Sequence, residues 1–364
     1  MRKTIHWWDQ LHKLQFDLTS HCNARCGACV RNNDGGAAKP GLELRHIELD
    51  LWKRIATEDT KGAYIRHISL NGNWGDSAMH PDLVEMIDIW TAAHPESMIA
   101  IATNGSIRNK KFWEDLAAAL RKASHHKIDF AMDGMEDTHS IYRRRTSHAK
   151  LCENIKTFTD AGGVAFVLMT LFEHNNHQIE EVSALADSLG ARHFVARNSF
   201  TGDKEIKIID DQDKAYYSMK AALIPNEVQH HFPHNESPNN NLKDSSLYGH
   251  INENFKEIFP FYQKSKCPWQ DEGELQIDPW GIVWPCCHTS LWGGGSAELH
   301  TYSVDNDIAP GDGNIPGKVL RENDLHDRSL KDIVTGGFFS NKMNKVIADA
   351  SWGVCRNNCG ICKD

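Results

Sequence analysis

The chain has 364 residues, of which 40% are hydrophobic and 24% are charged, so it can bury a substantial globular core. Its formal net charge of −9 argues against general nucleic-acid binding. The N-terminal residues lack the apolar core of a signal peptide, and the longest apolar run, Val164 to Phe172, is too short to cross a bilayer. We therefore expect a cytoplasmic protein without membrane association, whose ten cysteines serve metal binding or catalysis before disulfides.

Six strand-like segments alternate with helix-like segments over the first 200 residues. This alternation predicts a parallel sheet covered by helices. Six units are too few for a closed eight-stranded barrel and fit an open, partial barrel. The predicted strands are Lys13 to Leu18, Tyr64 to Leu70, Met98 to Ala102, Lys127 to Met132, Val164 to Leu171 and His193 to Ala196.

Three cysteines, Cys22, Cys26 and Cys29, follow the first predicted strand at spacings of three and two residues. Three thiolates this close together can hold three irons of an iron–sulfur cluster and leave a fourth iron open to a ligand. A zinc site with His21 as the fourth ligand, or a disulfide with one spare thiol, are the alternatives that the residues leave open. The position after a strand places this loop at the end of the barrel where functional groups gather.

Polar loops follow the next three predicted strands. They are Asn71 to Met79, Thr103-Asn104-Gly105 and Asp133-Gly134. Because the carboxyl ends of parallel strands share one face of a barrel, these loops should converge with the cysteine loop on one mouth.

Residues 203–262 break the alternation and are interpreted as an insertion or linker that forms a solvated loop or a cap over the substrate. Three histidines in this stretch are candidate metal ligands: His230, His231 and His234. No nearby cysteine or carboxylate completes a convincing ligand set with them. The predicted domains are thus residues 1–202, the insertion 203–262, and a C-terminal domain over 263–364.

A second group of cysteines lies in the C-terminal part of the chain. Asp278 to Pro285 reads as strand, turn and strand, which predicts a hairpin between two of these cysteines. Four thiolates there would suit either an iron–sulfur cluster or zinc. The isolated Cys152 is expected to be an inert, packed thiol. The C-terminal group consists of Cys267, Cys286, Cys287, Cys355, Cys359 and Cys362.

Together these motifs resemble those of radical S-adenosylmethionine (SAM) enzymes that carry a C-terminal SPASM or twitch domain. The resemblance extends over nearly the whole chain and begins with the hallmark spacing Cys22-x3-Cys26-x2-Cys29. The other matching motifs are Gly75 to Leu83, Thr103-Asn104-Gly105, Asp133-Gly134 with His139 and Arg143, Cys267 to Cys286, and Ser329 to Ile333.

The resemblance implies an α/β fold, a partial (β/α)6 TIM-like barrel followed by a small α+β iron–sulfur domain. It also implies that the first three cysteines hold a [4Fe–4S] cluster whose open iron chelates the amine and carboxylate of SAM. One electron from a flavodoxin or ferredoxin-type donor would then cleave SAM to methionine and a 5′-deoxyadenosyl radical. That radical would take a hydrogen atom from the substrate, with the cofactors supplying the chemistry and the protein positioning them.

Four residues match positions of the family that bind SAM. Asp76 corresponds to the acidic residue that accepts the SAM amine, and Arg143 to a residue that binds the SAM carboxylate. Gly75 and Asn104 belong to motifs that shape the SAM pocket. No catalytic residue acting on the substrate is identified.

Four positions depart from the usual family pattern. Ala28 replaces an aromatic residue before the third cysteine, Trp74 replaces a glycine, Asp76 replaces a glutamate that is one methylene longer, and Ala131 replaces a serine. SAM is therefore expected to sit slightly differently from its position in other members.

The six C-terminal cysteines are fewer than a full SPASM domain with two auxiliary clusters uses. The resemblance therefore implies the twitch version, with one auxiliary [4Fe–4S] cluster. Its ligands would be Cys267 and Cys286 with two of the three cysteines nearest the C-terminus, which are Cys355, Cys359 and Cys362. Cys287 would be a spare thiol, because neighbouring strand residues point in opposite directions.

Because the cysteine loop begins at residue 22, we expect no N-terminal peptide-recognition domain. That expectation favours a small or externally presented substrate, oxidised with help from the auxiliary cluster. The alternatives are a peptide-modifying maturase or epimerase and, from another class, a non-catalytic iron–sulfur or zinc protein.

Overall fold

A computed structural model describes residues 7–33, 35–39, 42–60, 63, 65–199, 205–209, 214–235, 267–287 and 322–344. Within these residues, no helix combines the length and apolar character that a membrane span requires. The six predicted strands are all present, with ends that differ by a few residues from the predicted ones. They are β1 (Lys13–Phe16), β2 (His67–Leu70), β3 (Met98–Thr103), β4 (His125–Ala131), β5 (Ala165–Leu171) and β6 (His193–Asn198).

Helices alternate with these strands as predicted. Short 3-10 turns over Ser77–Met79 and Asn176–Gln178 lead into two of them. The helices of this part of the chain are α1 (Trp7–Gln10), α2 (Leu49–Thr57), α3 (Leu83–Ala93), α4 (Lys110–Leu120), α5 (His139–Tyr142), α6 (His148–Asp160) and α7 (Ile179–Ser188).

The strands β1 to β6 form one parallel sheet in sequence order. The described strands do not close on themselves, so the sheet is an open, partial barrel as predicted. The helices cover its outer face: Phe16 of β1 lies edge-on to Trp52 and Trp90, at centroid distances of 4.9 and 6.2 Å. Because side chains alternate along a strand, Gln15 and Asp17 point to the inner face.

The stretch predicted as an insertion contains strands in its described part. β7 (Glu205–Ile209) and β8 (Ala215–Lys220) form a separate antiparallel hairpin, and β9 (Val228–His231) joins the barrel sheet antiparallel to β6. The three histidines of this stretch have different partners and do not converge. His230 contacts Ser183, His231 contacts His193, and His234 contacts Asp187.

The C-terminal part of the chain contributes to the same sheet. α8 (Pro268–Asp271) leads into β10 (Glu274–Ile277), which pairs in parallel with β1, and β11 (Val283–Trp284) then pairs antiparallel with β10. The predicted hairpin is therefore confirmed, and Gly281 allows its turn with a φ of +79°. Ser329 caps α9 (Leu330–Val334) by accepting a hydrogen bond from the Asp332 amide at 3.0 Å, and a π-helix follows over Phe338–Met343.

Candidate functional site

The three cysteines of the first motif lie on a turn that follows β1. The Cys29 amide donates to the Cys26 carbonyl at 3.2 Å, which closes the turn. Cys26 is buried, whereas Cys22 and Cys29 are half-buried, and all three are free thiols. Burial raises the pKa of the Cys26 thiol to about 11, although the nearby Arg143 opposes the increase.

Gly75 lies where the loop after β2 meets the cysteine loop. A Cβ atom at this position would stand 2.4 Å from the Thr19 carbonyl oxygen and 2.5 Å from that of His21. The next residue, Asp76, donates its amide to the same His21 carbonyl at 2.9 Å. Only glycine permits this approach of two backbones, so the structure explains the glycine by the packing of the two loops.

Asp76 is buried and accepts four hydrogen bonds from the protein. One carboxylate oxygen accepts from the Ala78 amide at 2.9 Å and the Thr103 hydroxyl at 2.8 Å. The other accepts from the Asn104 amide at 2.7 Å and its side chain at 2.5 Å. A carboxylate has about four lone-pair positions, and these donors occupy them. Burial raises the pKa of Asp76, and these hydrogen bonds oppose that increase.

Asn104 connects Asp76 to the cysteine loop. Its side-chain nitrogen donates to Asn23 at 2.8 Å as well as to Asp76, and its oxygen accepts from the hydroxyl of Ser106 at 2.7 Å. Asn23, which directly follows Cys22, was not among the predicted site residues. Its position inside the cysteine motif is the only signal that the sequence offers for it.

Arg143 extends from the loop after β4 towards the cysteine loop. Its guanidinium lies 3.6 Å from the Cys26 sulfur and stands over the Tyr142 ring at 5.0 Å. It also pairs with the buried carboxylate of Asp133. Burial lowers the pKa of Arg143, but the negative charges of Asp133 and Cys26 outweigh that effect and raise it well above its usual value.

Asp133 is fixed from the opposite side of this ion pair. Its second oxygen accepts from the Thr170 amide at 2.5 Å, and its backbone carbonyl accepts from the Asn175 side chain at 3.1 Å. Asp133 therefore holds the guanidinium of Arg143 in a defined orientation beside Cys26. This arrangement brings together the residues that the sequence predicted after β1, β2, β3 and β4.

The donor set fits a cluster better than a single metal ion. Across the described ranges, no three His, Cys, Asp or Glu side chains are grouped so that they could hold one ion. Zinc with His21 as a fourth ligand would need such a group of four. Cysteines that bind separate irons of a cluster do not need to surround one point. The guanidinium and the carboxylate on either side of the loop suit an amino-acid group next to that cluster.

Three cysteines of the second group lie within the described residues. Cys267 and Cys286 are buried, Cys287 is partly exposed, and none of the three forms a disulfide with another described cysteine. The predicted ligands Cys355, Cys359 and Cys362 lie outside the described residues. Cys152 is partly buried on α6, and burial raises the pKa of its thiol to about 11, which agrees with an inert role.

Trp74, one of the predicted departures from the resembled pattern, is buried against the C-terminal hairpin. Its ring lies edge-on to Trp280 at a centroid distance of 5.8 Å. The bulky side chain therefore packs the loop after β2 against the segment that contains β10 and β11.

Asp17 is a buried carboxyl near the mouth of the barrel that the sequence did not identify. It accepts from the Asn73 amide at 2.9 Å and from the Gln276 side chain at 2.7 Å. Burial raises its pKa to about 7, and repulsion by Asp278, whose own pKa burial raises to about 6, adds to the increase. When Asp17 is protonated, its hydroxyl can donate to the Gln276 oxygen, which has no hydrogen-bond partner, once that amide turns over.

Asp17 should make the protein less stable as the pH rises from about 4 to about 7. Over this range the folded carboxyl keeps a proton that the unfolded carboxyl, with its ordinary pKa of 3.8, has lost. The resulting slope in the free energy of unfolding is at most about 1.4 kcal/mol per pH unit. Denaturant unfolding at pH 5, 6 and 7 should show a smaller decrease for Asp17→Asn than for the unmodified chain. Equal slopes would contradict the assignment.

The chain is similar in sequence to known proteins over part of its length. Residues 17–186 match the family model of the radical SAM superfamily. The chain is 25% identical over 181 residues to the antilisterial bacteriocin subtilosin biosynthesis protein AlbA of Bacillus subtilis (strain 168), covering 49% of this chain and 37% of AlbA. It is 25% identical over 187 residues to the mycofactocin maturase MftC of Mycobacterium ulcerans (strain Agy99), covering 50% of this chain and 46% of MftC.

The fold extends the similarity beyond the matched sequence. The solved structure of native anSMEcpe with bound AdoMet and Kp18Cys peptide superposes with a TM-score of 0.52 at 12% identity, covering 95% of this chain and 85% of that one. The sequence matches, by contrast, span less than half of the length of AlbA and of MftC.

Proposed function

Because residues 17–186 of this chain form a radical SAM domain, we propose that it is an enzyme that cleaves SAM at the mouth of the barrel and abstracts hydrogen from a peptide. The observation that carries the proposal is the position of Arg143 and Asp76 beside the cysteine loop. A cluster site alone would need only thiolates. The oriented guanidinium next to Cys26 adds a recognition group for a carboxylate.

The proposed cofactor site assigns a role to each group of residues. Cys22, Cys26 and Cys29 would hold the cluster, and the Arg143 guanidinium would bind the SAM carboxylate in the orientation that Asp133 imposes. When bound, the cluster and SAM supply one-electron reductive cleavage and hydrogen-atom abstraction.

Asp76 and its neighbours would form the side of the site that faces the SAM amine. Because its oxygens already accept four hydrogen bonds, we expect Asp76 to act on the ammonium mainly through its charge. Asn104 would then keep that charge in place against the cysteine loop through its contact with Asn23. Gly75 would bring the two backbones together, as its lack of a side chain allows.

A single auxiliary [4Fe–4S] cluster in the C-terminal segment is part of the proposal. Its support is the burial of Cys267 and Cys286, together with the similarity to AlbA and MftC. The remaining ligands would come from the cysteines nearest the C-terminus. A flavodoxin or ferredoxin-type protein would supply the electron for SAM cleavage.

A peptide is the proposed substrate class. AlbA is a bacteriocin biosynthesis protein, MftC is a maturase, and the anSMEcpe structure contains a bound peptide. These relatives favour the peptide-modifying alternative over the small-molecule substrate that the position of the cysteine loop suggests. A peptide encoded beside the gene of this chain is the natural probe, and a change in its mass that requires SAM would support this substrate class.

SAM cleavage is the direct test of the proposed function. The full chain, reconstituted anaerobically with iron and sulfide, should release 5′-deoxyadenosine from SAM when dithionite is added, and chromatography with mass detection measures the product. The same sample without dithionite is the control, because the cleavage requires one electron. Absence of 5′-deoxyadenosine from a cluster-loaded sample would overturn the proposal.

A further inference from the structure

The hairpin formed by β7 and β8 packs directly on the cysteine loop. Its strands alternate between buried and exposed residues, so it has one apolar face. This face forms a cluster with the cysteine loop that also includes Tyr142 and Phe172. The hairpin side chains in the cluster are Ile206, Ile208, Tyr217 and Met219, and those of the loop are Cys22, Ala24, Cys26, Ala28 and Cys29.

Ile208 of the hairpin packs against Gly27, which directly follows Cys26 in the cysteine loop. A Cβ atom at Gly27 would lie 2.0 Å from Cδ1 of Ile208, so a larger residue here forces that side chain out of its packed position. Ile208 is fully buried. The small residues Gly27 and Ala28 thus leave the space that the isoleucine fills. The hairpin supplies apolar contact beside Ala28, where the family usually has an aromatic residue.

Polar contacts fix the hairpin in this position from three sides. Arg144 donates to the Ile209 carbonyl at 2.8 Å and also to the Gly35 carbonyl. The Tyr217 hydroxyl donates to the Ile141 carbonyl, and the Glu173 amide donates to the Lys220 carbonyl at 2.9 Å. The hairpin is therefore tied through Arg144 to the segment that follows the cysteine loop, and directly to α5 and to the end of β5.

We propose that the β7–β8 hairpin is a fixed cover of the cysteine loop, and that Ile208 is a positioning residue that acts through Gly27 to keep Cys26 and its metal site away from solvent and oxygen. The assignment of a metal to these cysteines rests on the proposed function, whereas the cover itself does not. Cys26 is 5% exposed, and the apolar face of the hairpin contributes to that burial together with Tyr142 and Phe172.

Alkylation of cysteines tests the cover on the full, cluster-free chain. With limiting iodoacetamide and peptide mass mapping, Ile208→Ala should raise the labelling rate of Cys26 by about tenfold or more, because truncation removes most of the packed side chain. Lys207→Ala, on the exposed face of the same strand, should leave the rate unchanged. Cys152 provides an internal reference, because its labelling should be the same in every variant.

A pair of compensating substitutions separates the cover from general destabilisation. Gly27→Ala should expose Cys26 as Ile208→Ala does, because its added Cβ meets Cδ1 of Ile208. In the double variant Gly27→Ala/Ile208→Ala that clash is absent, so the labelling rate should fall below that of either single variant. Wild-type labelling rates in both single variants, or a rate in the double variant above both singles, would overturn the proposal.

Two further measurements keep the test decisive. If Ile208→Ala also raises the labelling rate of Cys152, that variant has lost its fold. Ile208→Val, which removes only Cδ1, is then tested in its place. It should still raise the labelling rate of Cys26 without changing that of Cys152. The second measurement uses cluster-loaded protein in air. The visible absorbance of the cluster should bleach several-fold faster in whichever variant shows faster Cys26 labelling than in the unmodified chain, because its cluster is more exposed. A wild-type chain that takes up no cluster would contradict the proposed function, while the labelling rates still decide the cover.

Discussion

A chain in which Cys22, Cys26 and Cys29 are all replaced by alanine should produce no detectable 5′-deoxyadenosine, a loss of at least about a thousandfold. The three thiolates are the only proposed protein ligands of the SAM-binding cluster, so the variant has none of the groups that would hold it. The reconstituted variant should also contain about four fewer irons per chain than the unmodified protein.

Iron and sulfide analysis of the same variant examines the second cluster. If one auxiliary [4Fe–4S] cluster exists, about four irons should remain after the substitution. Near-zero iron would remove the auxiliary cluster from the proposal. Cys152→Ala is the matched control, because this thiol lies on α6 and belongs to neither cysteine group, so its removal should change neither the iron content nor the product. Formation of 5′-deoxyadenosine by the triple variant would contradict the assignment of the site.

Asp76→Asn should lower both the stability of the protein and its affinity for SAM. The four groups around Asp76 all donate hydrogen bonds, which a carboxylate accepts on both oxygens. An asparagine would turn its own amino group towards two of these donors, such as those of Asn104. We expect the free energy of unfolding to fall by about 3 kcal/mol, from lost charge-assisted hydrogen bonds and a buried unpaired donor.

Denaturant unfolding at neutral pH measures the first effect, and titration of SAM into the cluster-loaded protein measures the second. The affinity should decrease by about tenfold or more, because a negative charge near the ammonium is lost. Asp115→Asn makes the same change on the exposed surface of α4, where the carboxylate pairs with Lys111, and should cost less than about 1 kcal/mol. An Asp76→Asn protein as stable as the control variant would show that the four hydrogen bonds contribute little.

The regular part of the fold could be predicted because it leaves a periodic signal in the sequence. Strand alternation and helical spacing located β1 to β6, and the loops that follow them held most of the proposed site residues. The hairpin between Cys267 and Cys286 was predicted for the same reason: Gly281 marks its turn. In each case neighbouring residues determine the local structure.

The contacts that the sequence did not reveal join residues that are far apart in the chain. Ile208 covers Gly27, Gln276 binds Asp17, and β9 pairs with β6. None of these partners stands in a repeating pattern that links it to the other. Asn23 was missed because a single polar residue inside a motif gives no spacing of its own, and its partner Asn104 shows its role only in the folded chain.

The pairing of β1 with β10 also constrains the order of assembly during synthesis. The ion pair between Lys13 and Glu274 joins residues 261 positions apart. Until β10 has left the ribosome, β1 presents an open edge, which invites pairing with other chains. Closing so long a loop slows folding more than it destabilises the product. The strand that leads into the cysteine loop therefore completes its pairing only after β10 has emerged, well after β2 to β6 have become available.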